Sequence, residues 1–284
     1  MNLSRIISGT MNWGTWGANY SKQEMCQLIS ESFDYGINSF DHADIYGGYT
    51  TEKSFGDAFV DTGIKREDVF FISKCGIIYP SERLPIKTKH YDYSEDHIMK
   101  SVDNSLKYLK TDYLDCLLLH RPSPLMDINI ISNTVEGLIK SGKIKSFGVS
   151  NFTADQMDMF KGKVEILFNQ INLSLTHLDH MFDGTLEYMQ ANNILPMAYS
   201  PLGSYFKEGS DKIKKVVGSL KDKYSCTDYQ LLISWLLKHP SKVRPVIGTT
   251  KSDRIKKSMK SLEIEIELID WFELLEASVG KRVP

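Results

Sequence analysis

Eight short apolar runs, rich in β-branched and aromatic residues, recur along the chain and alternate with amphipathic helical patterns. We predict a strand at each run: Arg5–Ser8, Asn38–His42, Val69–Ser73, Tyr113–Leu119, Ile144–Val149, Glu165–Gln170, Ile194–Ala198 and Arg244–Ile247. Regular alternation of strands with helices favours a parallel sheet, because each connection must pass back over the sheet. Eight such units in 284 residues predict an α/β fold with one closed (β/α)₈ TIM barrel.

The segments between the runs carry apolar residues at three- and four-residue intervals, which predicts helices. They span Lys22–Tyr35, Glu52–Asp61, Asp96–Leu109, Ile130–Ser141, Ala154–Phe160, Gly184–Ala191, Ile213–Tyr224, Tyr229–Lys238 and Arg254–Ser261. Capping-box spacing marks two helix starts and glycine marks two helix ends: Ser21 with Glu24, Thr227 with Gln230, Gly36 and Gly142. The amphipathic segment Glu263–Ala277 predicts an added C-terminal helix packed on the barrel. No linker-like composition divides the sequence, so a single domain is expected over residues 1–284.

Composition narrows the classes of partner. The chain is 42% apolar and 25% charged, and no apolar run approaches the roughly 18 residues of a membrane helix. Its net charge of −2 indicates neither nucleic acid nor a membrane as a partner, which leaves small molecules. The N-terminal residues lack the pattern of a secretory signal, and the four cysteines are scattered, so we expect reduced thiols and a cytoplasmic protein. The expected assembly is a monomer or a small homo-oligomer.

Four polar residues of different chemistry fall at or just beyond the ends of predicted strands: Asp41, Tyr46, Lys74 and His120. A parallel α/β barrel builds its active site at the carboxyl ends of its strands. A phenol, an ammonium, a carboxylate and an imidazole in one mouth can donate a proton to a carbonyl group during its reduction. The four residues therefore predict a reductase.

His42 and Asp44 leave a second interpretation open, because His-x-Asp beside His120 could indicate the metal site of a barrel hydrolase. Successive strand residues point to opposite faces, so His42 should face the helices if Asp41 faces the barrel. Asp44 is expected to tie its loop through hydrogen bonds to backbone amides. We therefore expect no metal.

The motifs, taken in order along the chain, resemble the aldo-keto reductase family. The first runs from Asn38 to Gly48 and is followed by Glu52 and Gly56; it carries Asp41 five residues before Tyr46. The others are Phe71–Lys74, Leu114–Pro122, Phe147–Phe152, Asn169–Gln170, Tyr199–Gly203 and Ile247–Thr250. Together they span nearly the whole chain. The strings His42–Tyr49, Ser73–Ile77 and His120–Pro122 further resemble the bacterial YdhF-like branch of oxidoreductases.

The resemblance implies NADPH-dependent reduction of an aldehyde or ketone to the alcohol, with nicotinamide as the hydride donor. Tyr46 would be the general acid, Lys74 would stabilise its phenolate, and Asp41 would hold Lys74 charged and in position. His120 would hydrogen-bond the substrate carbonyl. Some members of the family are cofactor-binding regulatory subunits, so an NADP(H)-binding redox-sensing module with slow turnover is the alternative.

Cofactor contacts are carried over at matching positions. Those around the nicotinamide and its ribose would be Gly9, Thr10, Met11, Asp41, Ser150, Asn151, Gln170 and Tyr199. Those along the pyrophosphate would be Ser200, Pro201, Leu202 and Gly203. A basic helix start after the last strand favours NADPH: Thr250, Lys251 and Arg254 would grip the 2′-phosphate, and Lys257 would add positive charge. Gly248 and Thr249, directly before them, are further expected cofactor contacts. Ser258 stands where the family usually has an Asn that contacts adenine, so adenine recognition is expected to be looser.

The substrate pocket is expected to be aromatic and fairly apolar. Trp13, Tyr79, Tyr46 and His120 are the expected substrate contacts, with Trp16 and Tyr91 as further candidates for the lining. Lys87 or Arg121 could help to bind an acidic group. The long connection Gly76–Tyr93 follows the third strand on the ligand-binding side of a barrel, so it is expected either to form part of the pocket wall or to be a solvated insertion.

Overall fold

A computed structural model describes residues 3–208 and 210–282. The two ends of the predicted 1–284 unit and residue 209 lie outside the described residues. The strands are β1 Ile7–Gly9, β2 Ser39–Asp41, β3 Phe70–Cys75, β4 Ile77–Ile78, β5 His90–Tyr91, β6 Cys116–Leu119, β7 Phe147–Ser150, β8 Phe168–Asn172, β9 Leu195–Tyr199 and β10 Arg244–Ile247. β1, β2, β3, β6, β7, β8, β9 and β10 pair in parallel in that order, and β10 closes on β1. The predicted (β/α)₈ barrel is confirmed.

The helices lie around this barrel. They are α1 Lys22–Asp34, α2 Tyr46–Tyr49, α3 Thr51–Thr62, α4 Glu95–Leu109, α5 Ile128–Lys140, α6 Ala154–Asp158, α7 Asp179–Phe182, α8 Thr185–Ala191, α9 Tyr205–Glu208, α10 Asp211–Lys223, α11 Asp228–Leu237, α12 Ser252–Met259 and α13 Leu268–Val279. Single 3₁₀ turns span Arg66–Asp68 and Lys260–Glu263. No helix of the described part of the chain is long and apolar enough to span a bilayer.

Local capping chemistry sets several helix ends where the sequence predicts them. The Ser21–Glu24 and Thr227–Gln230 capping boxes are both formed, and each satisfies backbone N–H groups at the first turn. Gly36 and Gly142 follow α1 and α5 with φ values of 90° and 75°. The left-handed region suits glycine because it has no Cβ to clash with the backbone.

Alternating side chains along the strands separate two apolar layers. One layer fills the barrel interior and consists of Ile7, Phe70, Ile72, Cys116, Leu118, Phe168, Met197 and Val246. The second, larger layer lies between the strands and the helices. Gly148 belongs to the narrow interior, where an added Cβ would lie 2.6 Å from both the Leu118 side chain and the Phe168 carbonyl oxygen. The interior is therefore packed with side chains and leaves no pore.

The connection predicted at Gly76–Tyr93 contains ordered structure. β4 and β5 pair antiparallel through Ile77 with Tyr91 and Ile78 with His90. The Tyr49 hydroxyl accepts from the Tyr79 backbone N–H at 2.8 Å, which ties this hairpin to the turn after β2. The segment is thus a short hairpin fixed at the mouth of the barrel.

The added C-terminal helix begins five residues later than predicted, at Leu268, since Glu263–Glu267 form a 3₁₀ end and a short extended segment. Trp271 of this helix, α13, stacks on Trp235 of α11, with ring centroids 5.0 Å apart and an interplanar angle of 9°. Leu274 and Leu275 of the same helix are buried. The prediction of a helix packed on the barrel is correct, and only its start is misplaced.

Candidate active site

The side chains at the mouth lie two residues beyond interior side chains, and therefore share their direction. Lys74 follows Ile72 on β3, and His120 follows Leu118 just after β6. The same relation places Gln170 beyond Phe168 on β8 and Tyr199 beyond Met197 on β9. Because strand side chains alternate with period two, these four strands continue their apolar interior face into a polar residue at the carboxyl end.

Lys74 is the centre of a buried polar cluster. Its ammonium nitrogen lies 2.7 Å from Asp41 Oδ1, 2.7 Å from the His42 carbonyl oxygen and 3.1 Å from the Tyr46 hydroxyl oxygen. Gln170 Nε2 donates to the same Asp41 oxygen at 2.8 Å. Lys74 is only 1% exposed, so all three ammonium donors are used inside the protein. A buried cation of this kind needs such partners to offset its loss of water.

Burial and charge act in opposite directions on the pKa values of this cluster. Burial lowers the pKa of the Lys74 ammonium, but Asp41 and Tyr46 outweigh it and the pKa lies above its usual value. Burial raises the pKa of Tyr46, while the nearby Lys74 pulls it down without reversing the shift. The lysine is therefore charged and the phenol protonated at neutral pH.

His120 lies beside Tyr46, with ring centroids 6.0 Å apart. Burial lowers its pKa well below the usual value, and the charges of Lys74, Arg121 and Lys89 lower it further. Its Nδ1 atom is buried and has no hydrogen-bond partner among the described residues. The imidazole is consequently neutral at physiological pH and can donate a single hydrogen bond to an oxygen in the cavity.

The cavity over these groups has a volume of about 640 Å³. Its substrate side is lined by Trp16, Ile45, Tyr46, Ile77, Tyr79, Lys89, His120 and Arg121. Trp16 and Tyr79 meet edge to face at 5.3 Å, which forms an aromatic wall. The hairpin that carries Tyr79 therefore forms part of the pocket wall, which was one of the two expectations for Gly76–Tyr93.

Some residues expected in the lining lie elsewhere. Trp13 is fully buried, packs against Phe40 and Phe55, and donates from Nε1 to the Thr249 carbonyl oxygen at 3.2 Å. The expectation that it lines the entrance is wrong, since Trp16 occupies that place.

Two hairpin residues also differ from expectation. Lys87 and Tyr91 are exposed, and neither lines the cavity. The lysine that does line it is Lys89, whose side chain the sequence did not distinguish from that of Lys87. In a regular strand, residues two apart would share a face, but Lys87 and Lys89 lie before β5, where that rule does not apply.

The residues expected around the nicotinamide form one hydrogen-bonded group on the other side of the cavity. Ser150 Oγ donates to the Gln170 carbonyl oxygen at 2.9 Å and accepts from Asn151 Nδ2 at 2.8 Å. The Tyr199 hydroxyl donates to Asn151 Oδ1 at 2.9 Å. Gly9 and Met11 border the same cavity. The amide and hydroxyl groups there match the donor and acceptor pattern of a carboxamide, and the Tyr199 ring offers a face for stacking.

A second cleft of about 770 Å³ continues from the mouth past β9 and β10. It is lined by Ser200, Pro201, Leu202, Gly203, Phe206, Thr227, Asp228, Tyr229, Ile247, Gly248, Thr249, Asp253, Arg254 and Lys257. Gly203 has a φ of 52°, and an added Cβ would overlap the Thr176 hydroxyl. A glycine is thus required for this tight turn, and Arg254 and Lys257 bring two cations to the far end of the cleft. Lys257 pairs with Asp253 at 2.6 Å, and Asp228 also lines the cleft. The length of the cleft, its turn and the Arg254 guanidinium fit an elongated phosphorylated cofactor.

Five expected cofactor contacts line neither cavity: Thr10, Ser150, Asn151, Thr250 and Lys251. Ser150 and Asn151 are hydrogen-bonded to Gln170 and Tyr199, which do line the first cavity. The Thr10 hydroxyl is buried and bonds to the Asp41 carbonyl oxygen and His42 Nδ1, each at 3.0 Å. Thr250 and Lys251 lie outside the residues that line the cleft, and the Thr250 carbonyl oxygen accepts from the Tyr20 hydroxyl. Sequence reasoning missed Phe206 and Tyr229 of the cleft, because an aromatic residue in a helical pattern carries no sign of facing a ligand.

His42 and Asp44 both support the fold behind the mouth. His42 is buried against Phe55 at 4.4 Å between ring centroids, on the helix side of β2 as expected. Asp44 interacts with the Ile45 backbone amide, as expected, and also accepts from the Ser101 hydroxyl at 2.7 Å. Burial raises the pKa of Asp44 to about 8. The loop is thus tied to helix α4 through a largely protonated carboxyl group.

Ser258, the position that departs from the family pattern, is buried below the cleft. Its hydroxyl donates to the Arg254 carbonyl oxygen and contacts the Tyr229 hydroxyl, each at 2.7 Å. Its contacts are therefore within the protein.

Comparison with known proteins agrees with this architecture. The Aldo/keto reductase family profile matches residues 5–276, and the chain belongs to that family. The uncharacterized oxidoreductase YcsN of Bacillus subtilis is 39% identical over 100% of this chain and 97% of its own length. The oxidoreductase YdhF of Escherichia coli is 35% identical over 99% of this chain and 96% of its own. The predicted resemblance to the YdhF-like branch is confirmed.

Two further comparisons cover nearly the whole chain. A 6-dehydroglucose reductase of Agrobacterium fabrum is 35% identical over 100% of this chain and 97% of its own. The crystal structure of the thermostable aldo-keto reductase Tm1743 superposes with a TM-score of 0.83 at 28% identity, covering 97% of this chain and 95% of that one. As a member of this family, the chain is an NADP-dependent oxidoreductase that acts on small carbonyl compounds.

Proposed function

We propose that this enzyme reduces an aldehyde or ketone to the corresponding alcohol, with Tyr46 as the general acid. The observation that carries the proposal is the position of the Lys74 ammonium, 3.1 Å from the Tyr46 hydroxyl and 2.7 Å from Asp41. A phenol is a weak acid, so proton donation at neutral pH requires a cation that stabilises the phenolate as it forms. Lys74 is that cation, and Asp41 keeps it charged and in place.

The proton transfer follows from this arrangement. As the carbonyl carbon accepts a hydride, the π electrons of the C=O bond move to oxygen, and Tyr46 donates its proton to that oxygen. The phenolate left on Tyr46 faces the Lys74 ammonium and is reprotonated from solvent before the next turnover. His120, neutral because burial and nearby cations lower its pKa, donates a hydrogen bond to the substrate oxygen and orients the carbonyl.

NADPH supplies the hydride when it is bound. Ser150, Asn151 and Gln170 would hold its carboxamide, and Tyr199 would lie against the nicotinamide ring. The turn Ser200–Gly203 would meet the pyrophosphate, while Arg254 and Lys257 would meet the 2′-phosphate at the far end of the cleft. The wall made by Trp16 and Tyr79 excludes water from one side of the reacting carbonyl.

The name of one relative widens the range of substrates to test. A protein 35% identical to this chain is a 6-dehydroglucose reductase, which acts, by its name, on an oxidised sugar. Hydroxylated aldehydes therefore belong in the panel beside simple aliphatic and aromatic carbonyl compounds. The cavity volume of about 640 Å³ has room for substrates of this size.

Tyr46→Phe tests the proposal, because phenylalanine keeps the ring but cannot donate a proton. We expect kcat for NADPH-dependent reduction to fall about 10²- to 10⁴-fold, the usual contribution of a positioned general acid. The Kd for NADPH, measured by fluorescence titration, should stay within about twofold, since the hydroxyl is needed for the proton and not for cofactor binding. Tyr113→Phe is the matched control and should retain full activity, because Tyr113 precedes β6, away from the mouth, and its ring packs against the Arg66 guanidinium.

The alternative role gives a different pattern. If the unaltered enzyme binds NADPH tightly but turns over no carbonyl compound in the panel, the redox-sensing function replaces the reductase. If Tyr46→Phe retains full kcat, another group is the acid and the assignment of Tyr46 is wrong.

A further inference from the structure

The substrate side of the cavity carries an excess of positive charge. Two cations line it, Lys89 and Arg121, and the Lys74 ammonium lies directly beneath it, bonded to Tyr46. Among the described residues that line the cavity, Asp41 is the one carboxylate. Asp41 is already engaged by Lys74 and Gln170 through its Oδ1 atom. The cavity therefore contains two cations for which its own lining offers no counter-charge.

Arg121 is held at the edge of the reacting centre. The Tyr93 hydroxyl bonds both the backbone N–H and the carbonyl oxygen of Arg121, which fixes the backbone here. The guanidinium Nη1 donates to the His120 carbonyl oxygen at 2.8 Å and to Ser150 Oγ at 3.2 Å. Within residues 3–208 and 210–282, no carboxylate lies within ion-pair distance of this guanidinium. A half-buried, fixed guanidinium without an acidic partner is arranged to receive an oxyanion from outside the protein.

Lys89 reaches the same cavity from the hairpin. It belongs to the hairpin between β4 and β5, is exposed, and lines the cavity together with Tyr79. Its charge acts on His120, so its ammonium lies within electrostatic range of the carbonyl-binding imidazole. Lys87, two residues earlier in the same hairpin, is exposed but does not line the cavity. The fold of the hairpin therefore directs the charge of Lys89, and not that of Lys87, into the cavity.

We propose that the physiological substrate is a carbonyl compound that also carries an oxyanion, a carboxylate or a phosphate, bound by Arg121 with Lys89 assisting. His120 and Arg121 both line the cavity of about 640 Å³, so one small substrate can present its carbonyl group to His120 and its oxyanion to Arg121. This inference rests on the proposed reductase function and specifies its substrate class. Arg121 and Lys89 act as specificity residues, since the proton comes from Tyr46 in either case.

Two matched substrate pairs separate the effect of the oxyanion from that of size. 4-Oxobutanoate and butanal differ in a terminal carboxylate, while glyceraldehyde 3-phosphate and glyceraldehyde differ in a phosphate. For the unaltered enzyme with saturating NADPH, we expect kcat/KM for at least one charged member to exceed that of its neutral partner by 10-fold or more. The pair with the larger ratio identifies which oxyanion the site binds. A higher kcat/KM for both neutral members would overturn the proposal.

The variants assign the preference to residues. Arg121→Met should lower kcat/KM for the charged substrate about 10- to 100-fold, the range for losing hydrogen bonds to a charged group, and leave the neutral partner within about threefold. Arg121→Lys should recover part of the loss, because it keeps the charge without the planar fork. Lys89→Met should lower kcat/KM for the charged substrate about threefold, as an exposed cation is screened by water. Lys87→Met is the matched control and should leave the ratio of charged to neutral kcat/KM unchanged in both substrate pairs.

Other outcomes point elsewhere. Equal losses for charged and neutral substrates in Arg121→Met, together with a raised Kd for NADPH in a fluorescence titration, would assign Arg121 to the cofactor and overturn the inference. The inference would also be overturned if both Arg121 variants kept the ratio of charged to neutral kcat/KM of the unaltered enzyme. If the unaltered enzyme binds NADPH but reduces no member of either pair and no compound of the wider panel, it is the reductase function itself that fails.

Discussion

Asp41→Asn provides a quantitative test of the buried ion pair at the mouth of the barrel. Asparagine keeps the shape of the side chain and an oxygen that can accept from Lys74 and Gln170, but it removes the negative charge. The Lys74 ammonium, 1% exposed, would then be buried without a counter-charge. Breaking a buried pair by removing one partner costs about 3–5 kcal/mol, and the remaining oxygen acceptor places the expected loss near the lower end, at about 3 kcal/mol.

The corresponding change in Tm follows from the length of the chain. At roughly 2.1 cal/mol/K per residue, 284 residues have an unfolding entropy of about 0.6 kcal/mol/K. A loss of about 3 kcal/mol therefore lowers Tm by about 5 °C. Asp41→Asn combined with Lys74→Met removes both charges and should regain most of this loss, since replacing a whole buried pair by groups of similar volume is often neutral.

The pH dependence of Asp41→Asn has a definite sign. In the unaltered protein, Asp41 and Tyr46 hold the pKa of Lys74 above its usual value against the effect of burial. Without Asp41 the effect of burial dominates, so the folded-state pKa falls below the unfolded value of about 10.4. Between these two values the unfolded chain binds more protons than the folded protein, and stability rises with pH. The Tm difference from the unaltered protein should therefore narrow from pH 7 to pH 9.

Differential scanning fluorimetry of the unaltered protein, the two single variants and the double variant at pH 7, 8 and 9 measures all of these effects. NADPH-dependent turnover should be low in every variant that lacks either partner. A double variant whose Tm loss equals the sum of the two single losses would refute the reasoning, because it would mean that the two charges do not stabilise each other.

Two further expectations concern charge elsewhere. Burial raises the pKa of Glu52 to about 7, so the folded protein keeps a proton that the unfolded chain releases near pH 4.3, and stability declines as pH rises between these values. Glu52→Gln should flatten the decline of Tm between pH 5 and 7 by a few degrees and leave the part due to Asp44. An unchanged slope of Tm against pH would contradict the shifted pKa. Arg254→Met should raise the Kd for NADPH about 10- to 100-fold and change the Kd for NADH by less than about threefold, as measured by fluorescence titration. The control is Lys256→Met, because Lys256 contacts Tyr35 outside the cleft. Equal losses of affinity for both cofactors would rule out the 2′-phosphate contact.

The parts of the active site that lie on strands could be placed from sequence, because strand direction is a local property. Lys74 and Gln170 follow interior apolar residues at the strand period, and Asp41 follows Phe40, whose side chain packs on the helix side. The structure brings the three polar residues together within hydrogen-bond distance. Helix ends were predictable for a similar reason. The Ser21–Glu24 capping box depends on four consecutive residues and on nothing distant.

Side chains on loops could not be placed in this way. Trp13 and Trp16 are three residues apart in one loop, yet Trp13 packs in the core and Trp16 lines the cavity. Thr10 lies directly before Met11, but its hydroxyl is turned to His42. In an irregular segment no repeating geometry relates neighbouring side chains, so their directions depend on contacts with residues far away in the chain.

What the sequence by itself determined is the barrel, the order of its strands, the family and the four chemical groups at its mouth. The barrel and its strand order follow from periodicity along the chain, which reflects the short-range geometry of strands and helices. The family follows from the motifs that resemble it, and the four groups follow from polar residues at the predicted strand ends. Only the tertiary structure decided that His120 is neutral, that Asp44 holds a proton, and that Lys89 faces the cavity while Lys87 does not. Burial and electrostatic fields are sums over all surrounding groups, and those surroundings exist only once the chain has folded.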